Sequence, residues 1–191
     1  MPPEPIQTER LLLRRFNRRD VGTLHRSVEA SLPELQQWLP WARPDYNRGD
    51  AAAYIRDSIS AWKDDKAYDY SVRWKTEPDR HIGNVSIWAL TRIGHIGEIG
   101  YWVHSGETGR GVITEACRAM VEVGFTNLHL HKINLRIAAG NTASERVADK
   151  LGFTRDGVLR EELRLGGRWV DHTIYSLLIH EWRQSPLHHP R

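Results

Sequence analysis

The spacing of hydrophobic residues changes along the chain from a helical period to a strand period. This change marks the boundaries of the predicted helices and strands. Apolar residues recur every three or four positions across residues 51–62, which is typical of a helix that packs one face on a core. Across residues 68–74 and 82–89 apolar residues instead alternate with polar ones, as they do in strands. Residues 76–79 have the composition of a turn. We therefore predict a helix that begins at Asp50, followed by a hairpin of two strands.

Further strands and helices are predicted on both sides of this hairpin. The apolar run 10–16 is typical of a strand, and Asp20 is the expected cap of the helix that follows it. After the hairpin, apolar and polar residues alternate in residues 96–103 and 132–138, as they do in strands. Between these segments, apolar residues at helical spacing begin at Val112. A connection of strand, helix and strand favours a parallel pair.

The last third of the chain is predicted to hold one more helix and a second hairpin. The helix begins at a capping box that starts with Thr142, and it ends at Gly152. Residues 158–165 and 168–179 are predicted strands, because the Gly-Gly dipeptide between them is a signal for a tight hairpin turn.

The stretch from Glu98 to Phe125 contains a strand, a polar loop and a helix with no linker between them. Gly109 and Gly111 in that loop allow the backbone to turn sharply and to approach a ligand. The first N–H groups of a helix lack intrahelical acceptors and lie at the positive end of its dipole, so this corner favours an anion such as a phosphate. Taken alone, the stretch fits a tight turn without a ligand equally well.

The composition is that of an ordinary globular protein. The 191 residues are 40% hydrophobic and 27% charged, and no apolar run is long enough to cross a bilayer. The formal charge is +3, but lysines and arginines are scattered and do not form the stripe of a nucleic-acid binder. The N-terminal segment lacks the pattern of a secretory signal. We expect a cytoplasmic protein with one domain over residues 1–182, a flexible tail over residues 183–191, and neither nucleic acid nor a membrane as a partner.

Neither thiol nor metal chemistry is expected. Cys117, the single cysteine, lies inside a predicted helix, where a packed side chain is the simpler interpretation. His188 and His189 have no third ligand near them in the sequence, so we interpret them as exposed residues of the tail. No metal cofactor is predicted.

The order of these elements and several short motifs resemble the GNAT superfamily of acyl-coenzyme A N-acyltransferases. Within it they resemble the RimJ/RimL branch, the N-terminal alanine and serine acetyltransferases of proteins. The motifs that carry the resemblance are Trp38-Leu-Pro-Trp41, Glu98-Ile-Gly-Tyr-Trp102, Gly109-Arg-Gly111 with Thr114-Glu115-Ala116, Asn141-x-x-Ser144 and Leu151-Gly152-Phe153. The resemblance covers residues 6–182. It implies an α+β fold with a mostly antiparallel, twisted sheet of about seven strands, flanked by helices, in which a parallel pair is splayed at the cofactor site.

The family resemblance implies acetyl-coenzyme A (acetyl-CoA) as the acyl donor. Its pyrophosphate would lie on the amides of the loop and the helix start, where only Gly111 matches the family's loop pattern strictly. Its pantetheine arm would run along the strand before the loop. The implied cofactor-binding residues are Tyr101, Trp102, Val103, Gly109, Arg110, Gly111, Val112, Ile113, Thr114, Asn141 and Arg146.

The resemblance also implies roles for two residues in catalysis. Ser144 resembles a hydroxyl that donates a proton or a hydrogen bond to the leaving sulfur, and Asn141 resembles a side chain that holds pantetheine. Glu98 is a third catalytic candidate because it sits on the central strand, where its carboxylate would accept the amine proton through water. Local hydrogen bonds at a helix start are the simpler explanation of Asn141 and Ser144 taken alone. The Glu161-Glu162 pair offers alternative carboxylates, and His172 is a weaker candidate.

The implied reaction is transfer of an acetyl group from acetyl-CoA to a primary amine by direct attack. The acceptor would be an N-terminal alanine or serine of a protein, including a ribosomal protein, or a related aminoacyl small molecule. A noncatalytic module that binds acyl-CoA or phosphate is the alternative. Trp38, Trp41, Trp88 and Trp102 either line an acceptor cleft or anchor the core. A homodimer is a further expectation from the family.

Overall fold

The computed structural model describes residues 1–91 and 93–185, apart from the side chains of Ala89 and Leu90. Its strands are β1 (Ile6–Gln7), β2 (Leu11–Arg15), β3 (Ala67–Trp74), β4 (Gly83–Thr91), β5 (Ile96–Val103), β6 (Lys132–Ala138), β7 (Thr154–Leu165) and β8 (Arg168–Leu178). Its helices are α1 (Val21–Glu29), α2 (Leu32–Leu35), α3 (Arg48–Lys63), α4 (Val112–Thr126), α5 (Thr142–Lys150) and α6 (Ile179–Gln184). No helix in this part of the chain is long and apolar enough to cross a membrane.

The eight strands form one sheet in the order β1-β2-β3-β4-β5-β6-β8-β7. Neighbouring strands are antiparallel except β5 and β6, which are parallel and are connected through α4. The expected α+β fold is therefore confirmed. The sequence predicted all of these strands except β1, which is only two residues long.

The sheet separates two hydrophobic layers. On one face α4 packs Val112, Ala116 and Met120 against β2, β4 and β5. On the other face α1 and α3 cover a smaller cluster that includes Phe16 and Trp102. Because side chains alternate along a strand, β5 contributes to both layers: Ile99 and Tyr101 to the first and Trp102 to the second.

Asp20 stands at the cap position of α1, as predicted, but its side chain accepts no N–H of that helix. It is the last residue of a 3-10 turn (Arg18–Asp20) whose cap is Asn17, and α3 begins two residues before the predicted start at Asp50, with Asn47 as its cap. Each asparagine side chain accepts a backbone N–H of the first turn. Asp20 and Asp50 follow three residues later, and their carboxylates accept the N–H of the asparagine, which completes a capping box. Both residue types favour helix starts, so the pattern located each start only to within a turn.

The parallel pair separates after three residues. Ile96, Gly97 and Glu98 of β5 pair with the first residues of β6, and the register ends at Glu98 and Asn134. Beyond this point β5 continues to Val103 as a partner of β4 alone. The second half of β5 therefore borders a gap on the side of β6.

The C-terminal elements contain the predicted hairpin. Gly166 and Gly167 form its turn with φ angles of +53° and +83°, a conformation that glycine adopts without strain. After β8, α6 ends at Gln184, within the segment expected to be a tail. The predicted exposed residues His188 and His189 lie outside the described residues.

Candidate active site

The gap between β5 and β6 opens into a cleft of about 840 Å³. Its walls come from β5, β6 and the starts of α4 and α5. The fold brings three stretches of the chain together around this space: residues 34–40, 98–114 and 135–150. The predicted site residues that line it are Glu98, Tyr101, Trp102, Val103, Gly109, Gly111, Val112, Ile113, Thr114, Asn141, Ser144 and Arg146.

The start of α4 presents free amides to the cleft. Gly109 and Gly111 have φ angles of +74° and +76°, in the left-handed region that favours glycine. The first helical hydrogen bond runs from the N–H of Glu115 to the carbonyl of Gly111 at 3.0 Å, so the amides of Val112 to Thr114 have no intrahelical acceptor. Such a corner stabilises a phosphate through N–H groups and through the helix dipole.

The N-terminal segment holds this corner in place. The backbone N–H and Nε of Arg10 donate to the Glu115 carboxylate at 2.8 and 2.7 Å, and the Thr8 hydroxyl donates to the same group. Nη1 of Arg10 also donates to the carbonyl of Arg110 at 3.1 Å. Burial acts to raise the pKa of Glu115, but the hydrogen bonds from Thr8 and Arg10 bring it below its ordinary value. Glu115 is therefore an ionised anchor for the loop.

The side chain of Arg110 does not line the cleft. It pairs with the buried Glu107 carboxylate and lies over the Trp74 ring, 4.9 Å from its centroid. Arg80 provides a second charge to Glu107 at 2.7 Å. Among the predicted cofactor contacts, Arg110 is thus held away from the cleft by Glu107, and its contact with the cofactor stays a prediction. The glycine pattern indicated a tight loop but not the direction of the side chain between the glycines.

Asn141 and Ser144 lie at the start of α5. Oδ1 of Asn141 accepts the N–H of Ser144 at 3.2 Å, so Asn141 caps α5 and the predicted capping box at Thr142 is wrong. The Tyr101 hydroxyl donates to the Ser144 carbonyl at 3.3 Å and joins β5 to α5. Burial raises the pKa of Tyr101, which keeps this donor neutral. Capping of α5 therefore explains the hydrogen bond of the Asn141 side-chain oxygen. Asn141 and Ser144 also both line the cleft.

Glu98 occupies the last position of β5 that pairs with β6, and it is 5% exposed. Nε of Arg136 donates to Oε1 of Glu98 at 3.0 Å and lies 2.9 Å from Oε2, while Nη1 of Arg136 donates to Glu162 at 3.1 Å. Burial raises the pKa of Glu98, and the charge and hydrogen bond of Arg136 offset this effect only in part. Glu98 is therefore a stronger base than an exposed carboxylate.

Several cleft residues have little or no signal in the sequence. Arg136 and Lys150 line the cleft and were not predicted there, while Glu162 and His172, the secondary candidates, line it as well. The available signal for Arg136 was its polar position in the alternation of β6. Glu161 is exposed and lies outside the cleft lining.

Four tryptophans were predicted either to line an acceptor cleft or to anchor the core. Three of them line the cleft: Trp38, Trp88 and Trp102. Trp102 is also part of the core cluster beneath α1 and α3, so it has both roles. Trp41 is half exposed and packs on Trp102 with ring centroids 6.0 Å apart.

Residues 10–154 match the family model described as an acetyltransferase (GNAT) domain. The chain belongs to this family. It is 29% identical over 175 residues to the Bacillus subtilis protein named "Putative ribosomal N-acetyltransferase YdaF", which covers 91% of this chain and 94% of the relative. It is 23% identical over 172 residues to the "Ribosomal-protein-serine acetyltransferase" of Escherichia coli, covering 90% and 94% of the two chains. A solved structure of Mycobacterium smegmatis RimJ in complex with CoA-disulfide has a TM-score of 0.84 and 25% identity, covering 93% of this chain and 86% of that one.

The predicted GNAT family, its RimJ/RimL-like branch and the assignment as an N-acetyltransferase are thereby confirmed. The roles of individual residues are not tested by these similarities. Ser144, Asn141 and Glu98 as catalytic groups therefore stay predictions, and so do the cofactor contacts. Within residues 1–91 and 93–185, no three metal-ligating side chains are grouped together.

Proposed function

We propose that this GNAT protein transfers the acetyl group of acetyl-CoA to the α-amine of an N-terminal alanine or serine of a protein. The observation that supports this most strongly is the cleft itself, which extends from the free amides of α4 to Ser144 and Glu98. The names of the relatives favour a ribosomal protein as acceptor. We place the reaction in the cytoplasm, where acetyl-CoA and ribosomal proteins meet. A homodimer stays a prediction.

The donor would lie along two parts of the cleft. Its pyrophosphate would accept hydrogen bonds from the amides of residues 111–114. Its pantetheine arm would run beside β5 from Gly100 to Val103, the half of the strand that has β4 but not β6 as a neighbour. An extended chain beside an unpaired strand edge gains main-chain hydrogen bonds, as an added strand does. Arg146 and Lys150 would add positive charge near the donor's phosphates.

The chemistry needs a path for one proton to leave the amine and one to reach the sulfur. The neutral amine attacks the thioester carbonyl, a C–N bond forms, and the C–S bond breaks. Glu98, directly or through water, accepts the proton of the attacking amine. Ser144 donates its hydroxyl proton to the departing thiolate and regains a proton through water from the protonated Glu98, and backbone N–H groups of β5 stabilise the oxyanion. Arg136 holds Glu98 in place during this step.

Release of free CoA thiol tests this proposal. Purified protein is mixed with acetyl-CoA and short peptides that start with alanine or serine, and the thiol is followed with a chromogenic disulfide reagent. We expect peptide-dependent release with both peptides and none when the α-amine is blocked. Tight CoA binding without release on any peptide would instead favour a noncatalytic acyl-CoA-binding module.

A further inference from the structure

A second cavity of about 720 Å³ lies on the other face of β5. Helices α1 and α3 and the segment between them form its outer wall, and β3, β4 and β5 form its floor. It borders the first cleft at β5, since Leu39, Trp88, Gly100, Tyr101 and Trp102 line both spaces. A molecule in this cavity would therefore adjoin the thioester of a donor bound along β5. The inference below rests on the proposed transferase function.

The floor of this cavity contains a buried carboxylate without a cationic partner. Asp69 is 9% exposed, and its Oδ1 accepts a hydrogen bond from the Ser86 hydroxyl. Among the described residues it forms no salt bridge, whereas the other buried aspartate on this face, Asp20, has Arg14 and Arg73. A buried carboxylate is costly unless it is paired, so Asp69 favours a cation from outside the chain.

Two polar neighbours surround Asp69 on the cavity floor. Asn84 donates to the Tyr54 hydroxyl, while its own Oδ1 is buried without a hydrogen-bond partner in the described part of the chain. Asn84 is 4% exposed and lines the cavity. Burial raises the pKa of Tyr54 most, and the charge of Asp69 and a hydrogen bond to its carboxylate raise it further, so Tyr54 stays a neutral phenol beside Asp69. The floor thus offers acceptor oxygens and no positive charge.

The register of the sheet sets the distance between Asp69 and the reaction centre. Asp69 pairs with Ser86 of β4, and Ser86 pairs with Gly100 of β5. Neighbouring strands lie about 4.8 Å apart, so the backbones at Asp69 and Gly100 are roughly 10 Å apart. An amine bound at Asp69 could not attack a thioester beside Gly100. Asp69 is therefore placed for a second group of the acceptor.

The walls of the cavity are aromatic. Trp41, Tyr46, Trp88 and Trp102 contribute to them. Arg43 and Asp50 also line this cavity, but Nη2 of Arg43 lies 3.1 Å from Oδ1 of Asp50, so the two charges compensate each other. Aromatic faces bind the aliphatic stem of a long side chain and also attract a cation.

We infer that this cavity selects acceptors that carry a second cationic group about 10 Å from the reacting amine, with Asp69 as the specificity-determining residue. A lysine or arginine at the second position of the acceptor peptide meets this requirement when extended. The aromatic walls enclose its stem, and Ser86 orients the Asp69 carboxylate.

Two peptides of equal length test the inference: Ala-Lys-Ala-Ala amide and Ala-norleucine-Ala-Ala amide, which differ in one charge. Their dissociation constants are measured on CoA-saturated protein by tryptophan fluorescence, and their kcat/KM values by thiol release. We expect the wild-type protein to prefer the lysine peptide by about tenfold in both measurements, less so at high salt. Asp69→Asn reduces the ratio between the peptides to below about twofold, while Asp57→Asn, an exposed change on α3, keeps it.

The outcomes separate the two proposals. Equal binding of both peptides to the wild-type protein would overturn the cation site, even if both are acetylated. A lysine preference in binding without thiol release would leave the cation site standing and overturn the transferase function. If Asp69→Asn does not fold, Ser86→Ala replaces it: it removes the hydrogen bond that orients Asp69, and an unchanged peptide ratio in a folded Ser86→Ala protein would count against the inference.

Discussion

Glu98 and Arg136 form an ion pair across the point where β5 and β6 separate. The Arg136 Nε lies 3.0 and 2.9 Å from the two carboxylate oxygens of Glu98, and the strands have lost their pairing one residue further on. The pair thus holds a buried carboxylate at the entrance to the gap in which the donor would lie. A buried base beside this gap, with a pKa above its ordinary value, is suited to accept the proton of an amine.

Replacing this base tests its role. We expect Glu98→Gln to lower kcat by about 100-fold, because an amide cannot accept the amine proton. In the wild-type protein, activity falls as pH decreases through the raised pKa of Glu98, since the carboxylate becomes protonated; the variant lacks this decrease. The measurement is the pH profile of kcat. Glu161→Gln, an exposed change outside the cleft, is the control, and a Glu98→Gln profile with the same acidic limb as the wild type would exclude Glu98 as the base.

The hydroxyl of Ser144 is expected to act on the leaving thiolate and not on donor binding. Ser144→Ala should lower kcat by about 100-fold and leave the dissociation constant of CoA within about twofold. Thr142→Ala removes a neighbouring hydroxyl that does not line the cleft, and it should keep wild-type kcat. Calorimetric titration with CoA and steady-state kinetics check both statements. Equal losses in the two variants would assign the effect to the helix start and not to catalysis.

The loop before α4 depends on the backbone of Gly109. Its φ of +74° is strained for any residue with a Cβ, although no atom lies within 4 Å of an added methyl group. Gly109→Ala should therefore destabilise this loop conformation by about 1 kcal/mol. That corresponds to a CoA affinity about fivefold weaker, measured by titration calorimetry. Gly157→Ala is the matched control, since its added Cβ also meets no atom within 4 Å and it lies outside the left-handed region.

A buried ion pair on the sheet face beneath α1 links two distant segments. Asp20 binds Arg14 at 2.7 Å and the fully buried Arg73 at 2.9 Å. Asp20→Asn leaves Arg73 without its charge partner and should lower the free energy of unfolding by about 3 kcal/mol, measured by urea denaturation at neutral pH. Asp57→Asn on the surface of α3 should change it by less than about 0.5 kcal/mol.

The same pair predicts an acid dependence. Burial acts to raise the pKa of Asp20, but Arg14, the Asn17 N–H and Arg73 bring it below its ordinary value. The stabilising contribution is therefore complete above the ordinary aspartate pKa of about 4 and is lost as pH falls below it. The wild-type protein should lose stability in that range more steeply than Asp20→Asn. If the free energy of unfolding of the two proteins fell equally with decreasing pH, Asp20 would not be the source of the acid dependence.

Much of the fold follows from local patterns. The stripe of α4, the alternation of β3 and the Gly166-Gly167 turn each depend on neighbouring residues, so the sequence alone predicts them. The sequence locates the helical turns capped by Asn17 and Asn47 only to within a turn, because asparagine and aspartate both favour the cap position.

The site was predictable where backbone geometry decides it, as at Gly109 and Gly111. It was not predictable where long-range register or side-chain direction decides it. Arg110 turns away from the cleft toward Glu107, and Asp69 meets Ser86 only because β3 and β4 pair in one particular register. A shift of one residue would move Asp69 to the opposite face of the sheet.

Mass spectrometry of an alanine-starting peptide after incubation with the protein and acetyl-CoA tests the acetyltransferase function most directly. We expect one added acetyl group on the α-amine, formed at a rate that falls strongly in Ser144→Ala. A peptide that stays unmodified while the protein binds CoA, or an acetyl group that appears equally fast in the variant, would contradict it.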